Sequence, residues 1–236
     1  MIQKKKVKGV SDMEVLERKN EKRLKMDKSH IAKIFLTFVF FGVLIGGLFY
    51  PKVGLFAFVC MIGSVLLSLY KGRYWCYRFC PRGAFLDEFV AKASFNKNIP
   101  SVLKSKVAKA FMLTFFIVMM SANAILSGGD LERFGKGVVM LLWVTTLVSA
   151  ILGILFRART WCVLCPMGTV SGVVGKKRGT LKIDAQKCVS CKLCNKNCPM
   201  EVEVCNFKEN GNIESVNCIK CESCKVACPK NAIEMA

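Results

Sequence analysis

The chain has 236 residues, 53% of them hydrophobic, and carries a formal charge of +20. A positive mean hydropathy of +0.38 beside so many charges excludes an ordinary soluble domain, because the apolar and basic residues must occupy separate segments. A basic excess beside apolar segments is typical of membrane proteins, so we expect membrane lipid as a partner and no nucleic acid.

The first 32 residues form a basic segment, and four apolar stretches follow it. Each stretch is long enough to cross the hydrocarbon core, which takes about 20 residues. Buried core helices are the alternative, but they are usually shorter and have a polar face that these stretches lack. The sequence therefore predicts an α-helical membrane domain over residues 33–175, with spans at 33–50, 53–70, 107–127 and 137–156.

The distribution of positive charge predicts the orientation of the spans. Only three of the 36 Lys and Arg residues lie in the two short connections between spans: Lys52, Arg133 and Lys136. Because cytoplasmic segments carry the excess of Lys and Arg, we predict that both termini and the middle loop are cytoplasmic. The protein is expected in a bacterial or archaeal cytoplasmic membrane, with its first span an uncleaved anchor.

Two similar sequences follow the second and fourth spans. KGRYWCYRFCPRGAF (71–85) and RARTWCVLCPMGTV (157–170) both read R-x-W-C, then a short gap, then C-P-x-G. The membrane domain is therefore two repeats of a hairpin, and the repeats bring four thiols to one membrane face: Cys76, Cys80, Cys162 and Cys165. One interpretation is a shared metal or iron–sulfur site, and the other is a redox-active or structural thiol set.

Other residues of these two motifs allow simple interpretations. Trp75 and Trp161 fit the aromatic belt of a membrane interface, and the glycines fit turns after proline. Asp87 and Glu88 are either solvated surface residues or groups that handle protons. The arginines either orient the spans or favour thiolates and offset the negative charge of a cluster: Arg73, Arg78, Arg82, Arg157 and Arg159.

The strongest pattern lies in residues 181–236, where C-x2-C-x2-C-x3-C-P occurs twice. Cytosolic thiols are kept reduced, so these cysteines indicate metal or redox chemistry. Bacterial proteins use this run to hold [4Fe–4S] clusters, with the fourth cysteine binding the other cluster. Zinc is the alternative, but it takes two pairs of ligands. The predicted sets are Cys188, Cys191, Cys194 and Cys228 for one cluster, and Cys198, Cys218, Cys221 and Cys224 for the second.

This tail resembles the bacterial two-cluster ferredoxins, which implies a small α+β domain at the C-terminal end. The segment MEVEVCNFKENGN (200–212) between the two runs departs from that family. It carries an extra cysteine, Cys205, which we interpret as a free thiol of the connector and not as a ligand.

The whole arrangement resembles the NapH/MauN-type membrane ferredoxins over nearly all of the chain beyond residue 32. NapH is the quinol dehydrogenase membrane component of periplasmic nitrate reductase systems, and related domains occur in the NosR and CcoG types. The resemblance implies electron transfer between the quinol/quinone pool and a redox partner protein or subunit. The first motif has the family spacing C-x3-C-P, whereas the second is one residue shorter.

The redox groups expected are two [4Fe–4S] clusters, with quinone as an exchangeable cofactor, and no catalytic residue is predicted. The single histidine, His30, precedes the first span, so the spans provide no imidazole pair for a b-type haem. A membrane-anchored redox sensor or metalloenzyme maturation factor is the second hypothesis. The unequal motif spacings and two spare thiols, Cys60 and Cys205, motivate it.

Overall fold

The computed structural model describes residues 30–235. Four of its helical segments are long and apolar enough to cross a membrane, which confirms the four predicted apolar helices. The last of them begins at Leu131 and not at residue 137. The predicted basic segment 1–32 lies almost entirely outside the described residues. The four segments are α1 (His30–Phe49), a 3-10 turn (Pro51–Leu55) continued by α2 (Phe56–Lys71), α7 (Lys106–Ser127) and α8 (Leu131–Leu155).

Local capping explains where the second pair of helices begins and turns. The Ser105 hydroxyl accepts a hydrogen bond from the Ala108 N–H at the start of α7. The Asp130 carboxylate accepts one from the Glu132 N–H at the start of α8. Such N-caps satisfy backbone donors that a helix leaves unpaired. Between the two helices the chain reverses at Gly128, whose φ of 57° is left-handed.

The outward faces of the four helices are apolar and exposed. Val107, Leu126 and Met140 are 79%, 80% and 71% exposed, respectively. Inside the bundle, the hydroxyls of Thr146 and Ser149 donate to carbonyl groups of their own helix. Both features fit a lipid environment, where large apolar faces are stable and every polar group needs a partner within the protein.

Each hairpin is followed by the same pair of short helices. The first hairpin leads into α3 (Tyr74–Arg78) and α4 (Pro81–Phe85), and the second leads into α9 (Thr160–Leu164) and α10 (Pro166–Val174). Helix α10 of the second repeat packs against α2 of the first. The two repeats are therefore interlocked at the end of the bundle that carries the Cys-Pro motifs.

The middle loop, which joins α2 to α7, contributes buried residues to an apolar core shared by the membrane domain and the tail. It contains a π-helical turn (Leu86–Val90), α5 (Ala91–Ala93) and α6 (Ser101–Lys104). Buried residues of this loop belong to the same apolar cluster as Trp161 and the core of the tail. The tail is therefore packed against the membrane domain.

The tail is a small two-stranded sheet with short helices around it. Strand β1 (Leu181–Ile183) pairs antiparallel with β2 (Ile233–Met235), and Leu181 lies opposite Met235. The connecting chain forms α11 (Leu193–Lys196), a 3-10 turn (Val204–Phe207) and α12 (Ser223–Ala227). Its buried apolar side chains include Leu181, Ile183, Met200, Ile213, Ile219 and Ile233.

Candidate metal centres

The two Cys-Pro motifs place their cysteines in equivalent positions. Cys76 and Cys162 are each the third residue of a short helix, α3 and α9. Cys80 and Cys165 are N-cap residues with extended backbone, ψ 113° and 124°. A proline follows each of them in the first turn of the next helix, where its missing N–H is not needed.

A wider turn absorbs the extra residue of the first motif. The Cys165 N–H donates to the Trp161 carbonyl oxygen at 2.9 Å, as in an ordinary α-helical turn. The Cys80 N–H instead donates to the Trp75 carbonyl oxygen at 3.0 Å, one residue further back. This is a π-type bulge, which accommodates one inserted residue within a helix. The two motifs are therefore structurally equivalent despite their different spacing.

Two buried arginines cross from one motif to the other. Arg73, which precedes Cys76 in the first motif, donates to the carbonyl oxygen of Cys162 at 2.7 Å. Arg159, which precedes Cys162 in the second, donates to the carbonyl oxygen of Cys76 at 2.7 Å. Both side chains are only 2% exposed. These two arginines therefore tie the motifs together inside the protein and are not exposed at its surface.

The glycine of each C-P-x-G sequence leaves room for the arginine of the other repeat. A Cβ on Gly83 would lie 3.0 Å from Arg159 Nη1, and a Cβ on Gly168 would lie 2.3 Å from Arg73 Nη2. Both glycines lie within helices, α4 and α10. They are therefore not the turn residues that the sequence predicted but points of close packing.

The four membrane-edge thiols line one cavity of about 220 Å³: Cys76, Cys80, Cys162 and Cys165. Burial, with the nearby Cys76 and Cys162, raises the pKa of the Cys80 thiol to about 12. Burial also raises the pKa of Cys162, against the opposing effect of Arg159. The thiols of Cys80 and Cys162 therefore resist ionisation by themselves, whereas a bound metal deprotonates a coordinating thiol outright. Four cysteine thiols are the donor set that holds an iron–sulfur cluster.

The same cavity extends into the interior of the bundle. Apolar side chains from all four spans line it, among them Phe40, Met61, Met120 and Leu142. It is therefore a mainly apolar cavity that is lined by the four spans and by the thiols.

Trp161 lines this cavity with the four thiols. Its side chain is 5% exposed and lies 5.9 Å from the Arg82 guanidinium, so its interpretation as an interfacial belt residue is wrong. The Trp161 Nε1–H finds no acceptor among residues 30–235. Arg82 donates to the Thr145 hydroxyl at 2.9 Å. A residue that lines the cavity thus carries a buried N–H donor with no acceptor in the described part of the chain.

Asp87 and Glu88 are paired and largely buried, not solvated. Asp87 accepts hydrogen bonds from Arg159 Nε and Nη2 at 2.7 Å each, and from Lys33 Nζ at 2.6 Å. Burial alone would raise the pKa of Asp87, but Arg159 and Lys33 hold it below its ordinary value. Glu88 Oε2 lies 3.0 Å from His30 Nε2. Asp87 therefore stays ionised and fixes Arg159 in place.

The eight cysteines of the two tail runs surround two separate cavities. Three cysteines of one run and the last cysteine of the other line each cavity, which is the predicted grouping. Iron binding at these positions stays a prediction. The first cavity is lined by Cys188, Cys191, Cys194 and Cys228, with Cys205 beside them, and the second by Cys198, Cys218, Cys221 and Cys224.

The backbone of the two runs has the form expected around thiolate-bound clusters. The residues on both sides of the second cysteine are left-handed in each run: Ser190 (φ 55°) and Lys192 (58°), and Lys220 (57°) and Glu222 (58°). Non-glycine residues adopt this conformation at a cost in free energy. In alternation with right-handed residues it turns successive N–H groups toward a concavity that binds anions, including iron–sulfur sites.

The fourth cysteine of each run receives an equivalent hydrogen bond. The Val202 N–H donates to Cys198 Sγ at 3.3 Å, and the Ala232 N–H donates to Cys228 Sγ at 3.4 Å. Among residues 30–235, no group of three or more His, Cys, Asp or Glu side chains is arranged around a single ion. Four thiols around a volume, with N–H donors to sulfur, fit a four-iron cubane.

The second set of tail cysteines, which lines the second cavity, lies next to the two Cys-Pro motifs. Arg73 donates to the Val216 carbonyl oxygen at 3.1 Å, and Arg157 donates to the Cys198 carbonyl oxygen at 3.0 Å. Burial raises the pKa of both Cys218 and Cys162, and the positive charge of Arg73 lowers both values in part. Arg73 therefore stands between the second tail set and the membrane-edge thiols.

A carboxylate holds the tail against the middle loop. Glu201 pairs with Lys104 and lies 3.0 Å from Arg157 Nε. It also accepts hydrogen bonds of 3.2 Å from the Ile99 N–H. This network fixes the chain that follows Cys198 on the membrane domain.

Residues 53–100 and 139–183 match a known family that is described as a 4Fe-4S binding domain. These two ranges contain the four membrane-edge cysteines, together with the second helix of the first hairpin and most of the second helix of the second hairpin. The eight tail cysteines lie outside the matched ranges. The match therefore associates iron–sulfur binding with the Cys-Pro motifs.

The chain is also similar to proteins of bacteria and archaea. It is 29% identical to "Putative electron transport protein YccM" of Escherichia coli, over 65% of this chain and 49% of YccM. Two uncharacterized proteins of Methanocaldococcus jannaschii, MJ0749 and MJ0750, are 25% and 27% identical. The first alignment covers 62% of this chain and 59% of MJ0749, and the second covers 72% and 78%.

The chain thus spans only 59% of MJ0749 and 49% of YccM. Comparison with solved structures gives no significant match. The four apolar helices and the match to a 4Fe-4S binding domain support a membrane-type iron–sulfur protein. The narrower NapH/MauN type stays a prediction.

Proposed function

We propose that this protein passes electrons between the quinol/quinone pool and a redox partner protein through three [4Fe–4S] clusters. One cluster is held by the membrane-edge thiols and two by the tail. The observation that carries the proposal is the apolar cavity, which starts among the four spans, ends at four thiols and adjoins the second tail set through Arg73. The arrangement joins a lipid-soluble reactant to a chain of redox centres.

The cavity has the chemistry that a quinone head group needs. It is about 220 Å³ in volume and lined mainly by apolar side chains of all four spans. Ligand sites are typically apolar with a few placed polar groups. The Trp161 Nε1–H, which has no acceptor within residues 30–235, is the donor that we expect a quinone carbonyl oxygen to meet, and the Arg82 guanidinium lies 5.9 Å from the Trp161 ring.

The membrane-edge cysteines would hold a cluster whose charge the protein offsets with buried arginines. When bound, a [4Fe–4S] cluster accepts and releases electrons at a potential set by its charge, hydrogen bonds and exposure. Arg73 and Arg159, each 2% exposed, supply positive charge near the thiols. Their guanidinium groups also fix the backbone of Cys162 and Cys76.

The positive-inside distribution supports a cytoplasmic position for the clusters and both termini. The partner protein would then dock on the cytoplasmic side, as the resemblance to NapH/MauN-type proteins implies. The unequal motif spacing that motivated a sensor or maturation role is absorbed by the bulge at Cys80. We therefore propose electron transfer and no second function.

Anaerobic protein in liposomes, mixed with menaquinol and frozen for EPR, tests this function. We expect reduced-cluster signals to appear with menaquinol and to disappear when excess menaquinone is added. Trp161→Phe, which removes the indole donor but keeps an aromatic ring, should slow the reduction while the clusters remain. Clusters that neither menaquinol reduces nor menaquinone oxidises would overturn the proposal.

A further inference from the structure

The connector between the two cysteine runs brings a fifth thiol to the first tail cavity. Cys205 Sγ lies 3.8 Å from Cys194 Sγ, and both line this cavity with the other three predicted ligands. The cysteines that line the second cavity are the four predicted ligands alone, within the described part of the chain. The two tail sites therefore differ by one thiol.

The position of Cys205 is fixed by contacts on both sides. Its N–H donates to Asn195 Oδ1 at 3.0 Å, and Asn195 directly follows Cys194. The preceding residue, Val204, is 2% exposed. On the other side, Lys208 Nζ donates to the Cys188 carbonyl oxygen at 2.8 Å. The 3-10 turn is thus attached to the same loop that carries the predicted ligands.

We propose that Cys205 is a reserve ligand of the first tail cluster and takes over the iron bound by Cys194. The exchange forms a bond from Cys205 Sγ to iron and breaks the bond from Cys194 Sγ. The proton released by the Cys205 thiol passes to the Cys194 thiolate, so no oxidant or reductant is consumed. The 3.8 Å separation brings the two sulfur atoms close enough for either to face the same iron. This inference rests on the proposed cluster assignment of the tail.

The repeat of the cysteine run supplies a matched control. Cys224 occupies the place in the second run that Cys194 occupies in the first, and both are buried. The comparison uses full-length protein purified anaerobically in detergent, with Cys194→Ala, Cys205→Ala, Cys224→Ala and the double variant Cys194→Ala/Cys205→Ala. Iron, acid-labile sulfide and the EPR spectrum of the reduced protein are measured.

We expect Cys194→Ala and Cys205→Ala to keep the wild-type iron content, with a changed EPR signal for Cys194→Ala alone. The double variant and Cys224→Ala should each lose about four iron atoms per chain. Cys194→Ala losing as much iron as Cys224→Ala would overturn the inference, and so would a loss of iron from Cys205→Ala.

The result is separable from the test of function. Iron retention in these variants does not depend on quinol. If the variants behave as expected but menaquinol does not reduce the clusters, the results support Cys205 as a reserve ligand and contradict the proposed quinol reaction. If menaquinol reduces the wild type but Cys194→Ala loses its iron, the reserve ligand fails alone.

Discussion

Arg73 donates a hydrogen bond of 2.7 Å to the carbonyl oxygen of Cys162, which belongs to the other half of the internal repeat. Arg159 makes the same bond in the opposite direction, to Cys76. A guanidinium is costly to bury unless acceptors meet it in a fixed geometry. Each half therefore completes the site of the other, which explains why R-x-W-C occurs twice.

Replacing Arg159 by alanine should strongly destabilise the membrane domain. The Asp87 carboxylate would lose its bidentate partner, and removing one partner of a buried pair costs about 3–5 kcal/mol. Thermal unfolding in detergent measures the change. Arg133→Ala is the control, because Arg133 pairs with Asp130 at 3.7 Å on the surface, where a pair contributes about 1 kcal/mol or less. Equal losses in the two variants would contradict the account.

Stability should also fall in acid through Asp87. Although burial opposes it, Arg159 and Lys33 lower the pKa of Asp87. The stabilisation is therefore complete above the ordinary carboxyl pKa of about 4 and is lost as the pH falls through the lower folded-state pKa. Melting temperature as a function of pH measures this. The Asp87→Asn variant should have a lower melting temperature than the wild type at neutral pH, and its melting temperature should fall less in acid. Parallel curves of melting temperature against pH for the variant and the wild type would contradict the role of Asp87.

Adding a methyl group at Gly168 should disturb the Arg73–Cys162 bond. The new Cβ would lie 2.3 Å from Arg73 Nη2, and overpacking of this kind costs about 1–3 kcal/mol. Gly42→Ala in α1 is the control, since its Cβ would meet nothing within 4 Å. Thermal unfolding should show a loss for Gly168→Ala and no loss for Gly42→Ala. A Gly168→Ala variant as stable as the wild type would exclude the packing role.

Lys220 should make the two tail clusters different in potential. Its side chain is 2% exposed, its Nζ has no hydrogen-bond partner in the described chain, and Ser190 takes its place in the first run. A buried positive charge beside a cluster stabilises its reduced form, because reduction adds a negative charge to the cluster. Lys220→Met should therefore lower the potential of the second cluster, by about 60 mV for each 1.4 kcal/mol of lost attraction.

An EPR-monitored redox titration measures this shift. Ser190→Ala is the matched control, and it should leave the potential of the first cluster close to that of the wild type. An unchanged or higher potential in Lys220→Met would contradict a charge effect of this lysine.

The features that the sequence predicted depend on local pattern. A span is recognisable because it needs about 20 apolar residues in a row. The grouping of the tail cysteines follows from their spacing, and the structure places the same sets around two cavities. The duplication of the Cys-Pro motif is also visible in the sequence alone.

The features that it missed depend on contacts between distant segments. Arg73 and Cys162 are 89 residues apart, so nothing local shows that they meet. Trp161 looked interfacial because the sequence does not reveal that its side chain is buried, next to Arg82 and in the wall of the cavity. For Cys205 a signal did exist: it lies in the one segment of the tail that departs from the ferredoxin pattern.

The iron and acid-labile sulfide content of the anaerobically purified full-length protein tests the central claim most directly. Three four-thiol sites predict about twelve iron and about twelve sulfide per wild-type chain, and about eight of each in Cys76→Ala/Cys162→Ala. A wild-type content of about eight that the variant leaves unchanged would contradict the membrane-edge cluster. A protein without iron would contradict the iron–sulfur account as a whole.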